Sequence, residues 1–276
     1  MSAASPSASP SAVPGPFPAP TDRSKFLRDR GVVRYATLTA SAWRLQGAAR
    51  IVGDAEIGVA EISDRVTIGG RLTAEQIEAH GLLEVHGPTE ISGRLRLRGS
   101  YRGDAEFHAG EAEIDGLAQF AGPVRVDRGL SVTGLLDAPR IEAHTLVLRG
   151  ALQLRGDLSV TLFDATLRGP STLEHLTADT VRITREAVPM QSWMPTPLRH
   201  LARQVLGRGE AGLSVLRIDA RSAELEGVHV GYLKSDTITV GADCRIDRYD
   251  GRILRAHPSS RVGPSSVSPP PYGMTR

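Results

Sequence analysis

Aromatic side chains are scarce in this sequence: Phe, Trp and Tyr make up only 4% of 276 residues. Compact cores ordinarily lean on such rings. A core here must therefore be assembled mostly from Leu, Ile, Val and Ala, which suits narrow stacked repeats. Cysteine is nearly absent. Cys244 stands alone, which excludes an intrachain disulfide and a cysteine-cluster metal site. It fits a reducing cytoplasm and reads as a small buried apolar residue rather than a reactive thiol. No apolar run approaches the ~18 residues of a membrane-spanning helix. Residues 1–20 lack the basic and apolar regions of a secretory signal, so a cytoplasmic location is expected. An excess of one charge is lacking too. The 33 basic residues nearly match 31 acidic ones, for a net +2, and this gives no broad electrostatic case for nucleic acid. There is no GxxxxGK[ST] loop or glycine-rich strand–helix turn, so neither a nucleotide nor another cofactor is expected.

What is present is a short repeat between two low-complexity ends. The run SPSASPSAVPGPFPAP cannot bury enough apolar surface to offset its ordering entropy. Residues 1–30 are read as a Pro/Ser/Ala-rich disordered tail, and 257–276 likewise. Between them, two to four alternating apolar and polar residues are followed again and again by a glycine or aspartate. The glycines often fall six apart, as at Gly81, Gly87, Gly93 and Gly99, and at Gly110, Gly116 and Gly122. A glycine every six residues would cost about 1 kcal/mol each inside a helix, and no helical stripe survives the interval. Short strands with sharp corners do fit.

A longer phrase recurs as well. LTAEQI at 72–77 returns as LDAPRI at 136–141, LTADTV at 176–181 and, more loosely, IDARSA at 218–223. Self-similarity of this kind marks a repeat architecture. Strands of three to four residues are too short for independent hairpins. Three of them per coil of roughly 16–20 residues would stack in parallel about 4.8 Å apart. The expected fold is all-β, a parallel β-helix (β-solenoid) over 31–187 and 213–256, with a two-sheet sandwich as the alternative.

Residues 188–212 interrupt the repeat. Thr196 offers an N-cap and Pro197 a first helical residue. Leu198, Leu201, Ala202, Val205 and Leu206 then follow helical spacing, and Gly207 can end the run. Arg199 and Arg203 occupy the other face, with Trp193 just ahead. A short amphipathic helix is expected. Its simplest role is to pack on the solenoid or cover an edge. The sharper expectation is a membrane-surface or partner contact through Trp193, Leu198, Arg199, Leu201, Arg203, Val205 and Leu206. So few cations would bind lipid weakly unless many copies acted together.

The closing stretch carries a family resemblance. LRIDARSAELEG at 216–227 leads into VHVGYLKSDTITVGADCRIDRY at 228–249. This order of strand pair, DTITVG phrase and final strand ending in Tyr resembles the bactofilins, the polymer-forming bacterial cytoskeletal proteins, and among them the longer Bacillus-type members. The resemblance implies a right-handed coil. It also implies nucleotide-independent polymerisation through the solenoid ends, peripheral association with the inner-membrane surface, and a scaffold for envelope, cell-shape or motility proteins. The long Pro-rich start and the weakly aromatic insert depart from that pattern. Physical reasoning also favours assembly, because open coil ends leave strand groups and aliphatic core bare. Leu38 at one flank and Ile253 and Leu254 at the other are the expected polymerisation ends, and a charge at Leu38 or Ile253 should dissolve filaments.

β-Helices also host enzymes, which is the competing expectation. Ile57-Gly58, Ile68-Gly69 and Val240-Gly241 faintly echo the hexapeptide unit of left-handed acyltransferases, without a strict sextet register. The histidines, among them His80, His86, His108, His144, His175 and His229, are scattered without a nucleophile beside them. Acidic residues alternate with arginines, as stacked solvated faces require. Non-enzymatic function is therefore expected. Converging His or carboxylate groups in a lateral groove would instead favour an enzyme acting on sugars or acyl groups.

Overall fold

The computed structural model describes residues 26–186 and 211–265. They form a parallel β-solenoid of about 13 turns, and no helix occurs among the described residues. In chain order the strands are β1 (Phe26–Tyr35), β2 (Leu38–Ile51), β3 (Ala55–Ile68), β4 (Leu72–Val85), β5 (Thr89–Gly103), β6 (Phe107–Phe120) and β7 (Val124–Ala138). They continue as β8 (Ile141–Leu154), β9 (Asp157–Leu167), β10 (Pro170–Arg185), β11 (Gly212–Leu225), β12 (Val228–Val240), β13 (Arg245–Ala256) and β14 (Arg261–Val262). Each pairs with the next, and every pairing is parallel. A sandwich is thereby excluded, since its sheets need antiparallel neighbours.

The coil period explains the glycine spacing. Ala55 pairs with Leu72 and Leu72 with Thr89. In β4 the inward residues come in three pairs: Leu72 and Ala74, Ile77 and Ala79, Leu83 and Val85. A coil is therefore a three-sided ring, and a six-residue interval is one side plus its corner. The ladder persists around two of the corners, so each coil forms one long bent strand rather than three separate short ones.

One corner requires glycine for a backbone reason. Gly31, Gly47, Gly81, Gly99, Gly116, Gly134 and Gly150 share a register column and all have positive φ, 138° at Gly116. A Cβ at Gly134 would overlap the carbonyl oxygen of Gly116 in the coil beneath. Asp64 occupies the same column between Gly47 and Gly81, at φ 113°.

Packing along the axis is by side-chain columns. Trp43, Ala60, Ile77, Leu95, Ala112 and Leu130 follow one another on one side, and each alanine lies between two larger residues, so that successive layers interlock. The few rings are concentrated. Tyr101, Phe107 and Phe120 meet with centroids 5.0 to 5.3 Å apart. The Tyr101 ring lies against Gly103, where a Cβ would fall 2.8 Å from it. Its hydroxyl meets Thr89 Oγ1 at 2.8 Å, in a column otherwise filled by Leu72 and Phe107. Glycine and threonine thus yield the volume and the partner that a buried phenol needs. Thr89→Val should leave that phenol unpaired and cost about 1–3 kcal/mol. Thermal unfolding of the variant measures it, and an unchanged melting temperature contradicts this role.

Two boundaries differ from the sequence expectation. The first strand opens at Phe26, inside the segment read as a tail, and β14 lies beyond residue 256. FLRDR reads as a charged tail because it is a terminal coil, where outward arginines are not balanced by a full set of inward aliphatics. The expected helix at 188–212 falls almost wholly outside the described residues, although Gly212 already belongs to β11.

Candidate functional site

Three places could carry function: the two ends of the solenoid and a depression on its flank. At the N-terminal end β1 stacks on β2 from Phe26↔Ala42 to Tyr35↔Ile51. Leu27, Val33 and Tyr35 are partly buried against the core, while Phe26 and Val32 are exposed, Val32 by 87%. Asp29 takes an inward position in the column of Leu45 and Ile62. It accepts hydrogen bonds from Tyr35 Oη at 2.7 Å and from Trp43 Nε1 at 2.8 Å. The apolar column therefore ends in a hydrogen-bonded carboxylate rather than in bare aliphatic surface. Leu38 opens its own column, since β1 begins opposite Ala42, yet it is wholly buried.

At the other end β13 covers β12, and β14 covers only the start of β13. Ile253 is the last member of the Ile238 column and is half-buried. An irregular register between Ile238 and Thr239 accommodates one extra residue, Leu254. Such a bulge turns a side chain outward, and Leu254 is 56% exposed. Both solenoid ends thus bear exposed apolar residues, though neither end face is purely apolar.

On the flank, a cleft of about 500 Å³ lies across Arg71, Glu90, Glu106, His108, Arg125, Arg140 and Glu142. It shares Glu90 with one smaller depression and Arg125 and Glu142 with another, so the three follow one side of the coil stack. His108 is tied to Asp127 one coil away at 3.0 Å, and Arg140 to Glu142 at 3.0 Å. Arg71, Glu90 and Glu106 have no ion pair among the described residues. Other histidines are engaged similarly, His86 with Asp104 at 2.6 Å and His175 with Asp157 at 3.1 Å. These are cross-coil ties of the kind that stacked outward positions favour. Among the described residues no group of three or more His, Cys, Asp or Glu side chains could hold a metal ion, and no helix is long and apolar enough to cross a membrane.

Cys244 is buried, and its thiol meets the Leu225 carbonyl at 3.2 Å. Burial pushes its pKa up, away from the thiolate form that a reactive cysteine needs. Trp193, Leu198, Arg199, Leu201, Arg203, Val205 and Leu206 lie outside the described residues. The root of the insert is firmly tied. Arg185 lies over Gly227 and reaches Asp243 at 2.9 Å, and Glu186 pairs with Arg168 at 2.7 Å.

Sequence reasoning missed Asp29. Its signal was available in retrospect: one of only two tryptophans, Trp43, lies one coil later in an otherwise aromatic-poor chain. Burial, and for Tyr35 the adjoining Asp29 carboxylate, raises the pKa values of Tyr35 and Tyr101 above the ordinary range. The folded state then holds these protons after the unfolded chain, with tyrosine pKa about 10, has released them. The contribution of these two tyrosines to stability should be constant below about pH 10 and fall as pH rises beyond it. Urea midpoints between pH 8 and 11 check this, and a rising midpoint contradicts it.

No family model, curated protein or solved structure matches the chain. The class that fold and geometry define is a parallel β-solenoid with charged flanks, whose terminal coils are not fully covered by any described residue.

Proposed function

We propose that this protein is a bactofilin-like cytoskeletal scaffold that self-assembles end to end without nucleotide and organises envelope, cell-shape or motility machinery. The observation that carries this reading is the absence of a covering helix or closing strand over the first and last coils among the described residues. Among the described residues β1 has a partner on one side only, and β13 is met by just two residues of β14 and by Ser265, bridged to Tyr249. Unpaired edges of this kind associate unless they are shielded. The order of residues 216–249 supports the family, and with it the right-handed coil and a cytoplasmic location at the membrane surface. The partners of this reading are the chain itself, the inner-membrane surface and envelope or motility proteins, with no nucleic acid. Sedimentation velocity across a concentration series tests it. Growth of large species with concentration, without nucleotide, is the expected result, and a constant monomer contradicts it. Deleting 188–209 should abolish sedimentation with anionic vesicles if the insert carries the membrane contact.

A second reading rests on the flank cleft, where Glu90, Glu106 and His108 lie near three arginines. It makes the protein an enzyme acting on a sugar or acyl group. In that case Glu106→Gln should abolish turnover of a glycan or acyl substrate without altering polymer formation.

A further inference from the structure

Along the body of the solenoid, basic side chains reach carboxylates one coil away. Arg44 meets Glu61 at 2.6 Å, Arg94 meets Glu113 at 2.8 Å, and Arg155 meets Asp137 at 3.0 Å. A terminal coil has no next coil to supply the acid. The exposed Arg248, Arg252 and Arg255 of β13 and Arg261 of β14 have no ion pair among the described residues. Asp247 is taken by Arg245 at 3.1 Å and faces His229 at 3.4 Å, and Asp250 is stacked on Lys234.

The opposite end cannot supply the missing charge. β1 carries Arg28, Arg30 and Arg34. Its one carboxylate, Asp29, is turned inward to Tyr35 and Trp43. Arg28 lies over the Phe26 ring at 4.9 Å, and Arg34 has an interaction of its own. The sequence beyond these coils adds Asp22 against Arg23 and Lys25 at one end and only Arg276 at the other. The body is the reverse: residues 36–186 and 211–244 hold 26 acidic against 19 basic side chains. Whether first coil meets last, first meets first, or last meets last, a junction between copies brings cationic ends together.

We propose that a junction formed by the last coil is an anion-binding site, in which a soluble polyvalent phosphate sits between the apposed terminal coils and is held by Arg252, Arg255 and Arg261. The inference rests on the end-to-end reading above. Guanidinium groups bind phosphate through paired N–H donors, and a polyvalent anion turns the like-charge contact into an attractive one. Assembly is thus set by anion supply rather than by ionic strength alone. A monovalent salt only screens, with a Debye length of about 10 Å at 0.1 M.

The test uses the full chain in potassium chloride and in tripolyphosphate at matched ionic strength, read by sedimentation and negative-stain microscopy. Tripolyphosphate should lower the protein concentration at which polymer forms by about tenfold, the scale of a few unit-charge repulsions across a wet junction. An Arg252→Gln, Arg255→Gln double variant should polymerise in chloride alone and gain little from tripolyphosphate. Both side chains are exposed, so its thermal unfolding should match the parent. Equal polymer in the two salts overturns the anion site alone. A double variant that stays fully anion-dependent, or that no longer polymerises in any salt, also overturns it. No polymer from either protein in any salt overturns the end-to-end reading itself.

Discussion

Gly134→Val is expected to destabilise the solenoid by about 3–5 kcal/mol, at the upper end for single substitutions. Two effects combine. The residue sits at φ 134°, which a β-branched side chain does not adopt without strain. Its Cβ would also occupy the place of the Gly116 carbonyl oxygen, so two coils must separate before the side chain fits. Nearest-neighbour coupling between coils then spreads the damage along the stack. The same column provides a test of opposite sign. Asp64 already holds φ 113° with a side chain, so Asp64→Gly should remove strain. It should stabilise, because the relief of about 1 kcal/mol or more exceeds the flexibility that glycine adds to the unfolded chain. Denaturant unfolding of the two variants checks both. A Gly134→Val protein as stable as its parent would show that the glycine column is not what sets the corner.

Ile253→Lys is expected to abolish end-to-end polymer while leaving most of the solenoid folded. Ile253 is the last inward member of its column and only half-buried, so its main uncovered contact is whatever approaches the C-terminal end. A lysine there, between Arg252 and Arg255, would have to be desolvated at every junction with no acid to pair it, a cost of several kcal/mol. Leu38→Asp is a poorer probe than its place in the sequence suggested. Leu38 is wholly buried, so a carboxylate there should disrupt β2 itself, and loss of polymer would not separate junction from fold. Microscopy combined with circular dichroism distinguishes the two variants. Normal filaments from Ile253→Lys would place the junction elsewhere on the molecule.

The repeat was legible in the sequence because the corners impose chemistry that recurs, but its phase was not. LTAEQI at 72–77, LTADTV at 176–181 and IDARSA at 218–223 do lie in register, with Leu176 on Ile218 and Val181 on Ala223. LDAPRI at 136–141 does not. Leu136 follows Ala118 on a different side of the ring, and Ile141 follows Val124. Two corners accept the same six-residue pattern of apolar residue, polar residue, alanine, two corner residues and apolar residue, so similarity of phrase marks a corner without saying which one. Short strands were read where long bent ones occur, because glycine interrupts side-chain alternation without interrupting the backbone ladder.

The ends were harder to read than the middle. Inward and outward positions in the body differ in polarity, which periodicity exposes. In β1 an aspartate faces inward and Val32 faces out, so polarity points the wrong way at the coil where function is proposed. The aromatic cluster was likewise invisible. Tyr101, Phe107 and Phe120 come together only through the three-sided ring, and Gly103 makes room for the Tyr101 ring.

The most direct test of a nucleotide-free, end-joined solenoid scaffold is electron cryomicroscopy of purified protein polymerised without nucleotide. The account predicts unbranched filaments whose strands stack along the filament axis, with a layer line near 4.8 Å and a subunit junction at β1 and β13. Single rods at every protein and anion concentration, or filaments whose strands lie along the axis instead of across it, would contradict it.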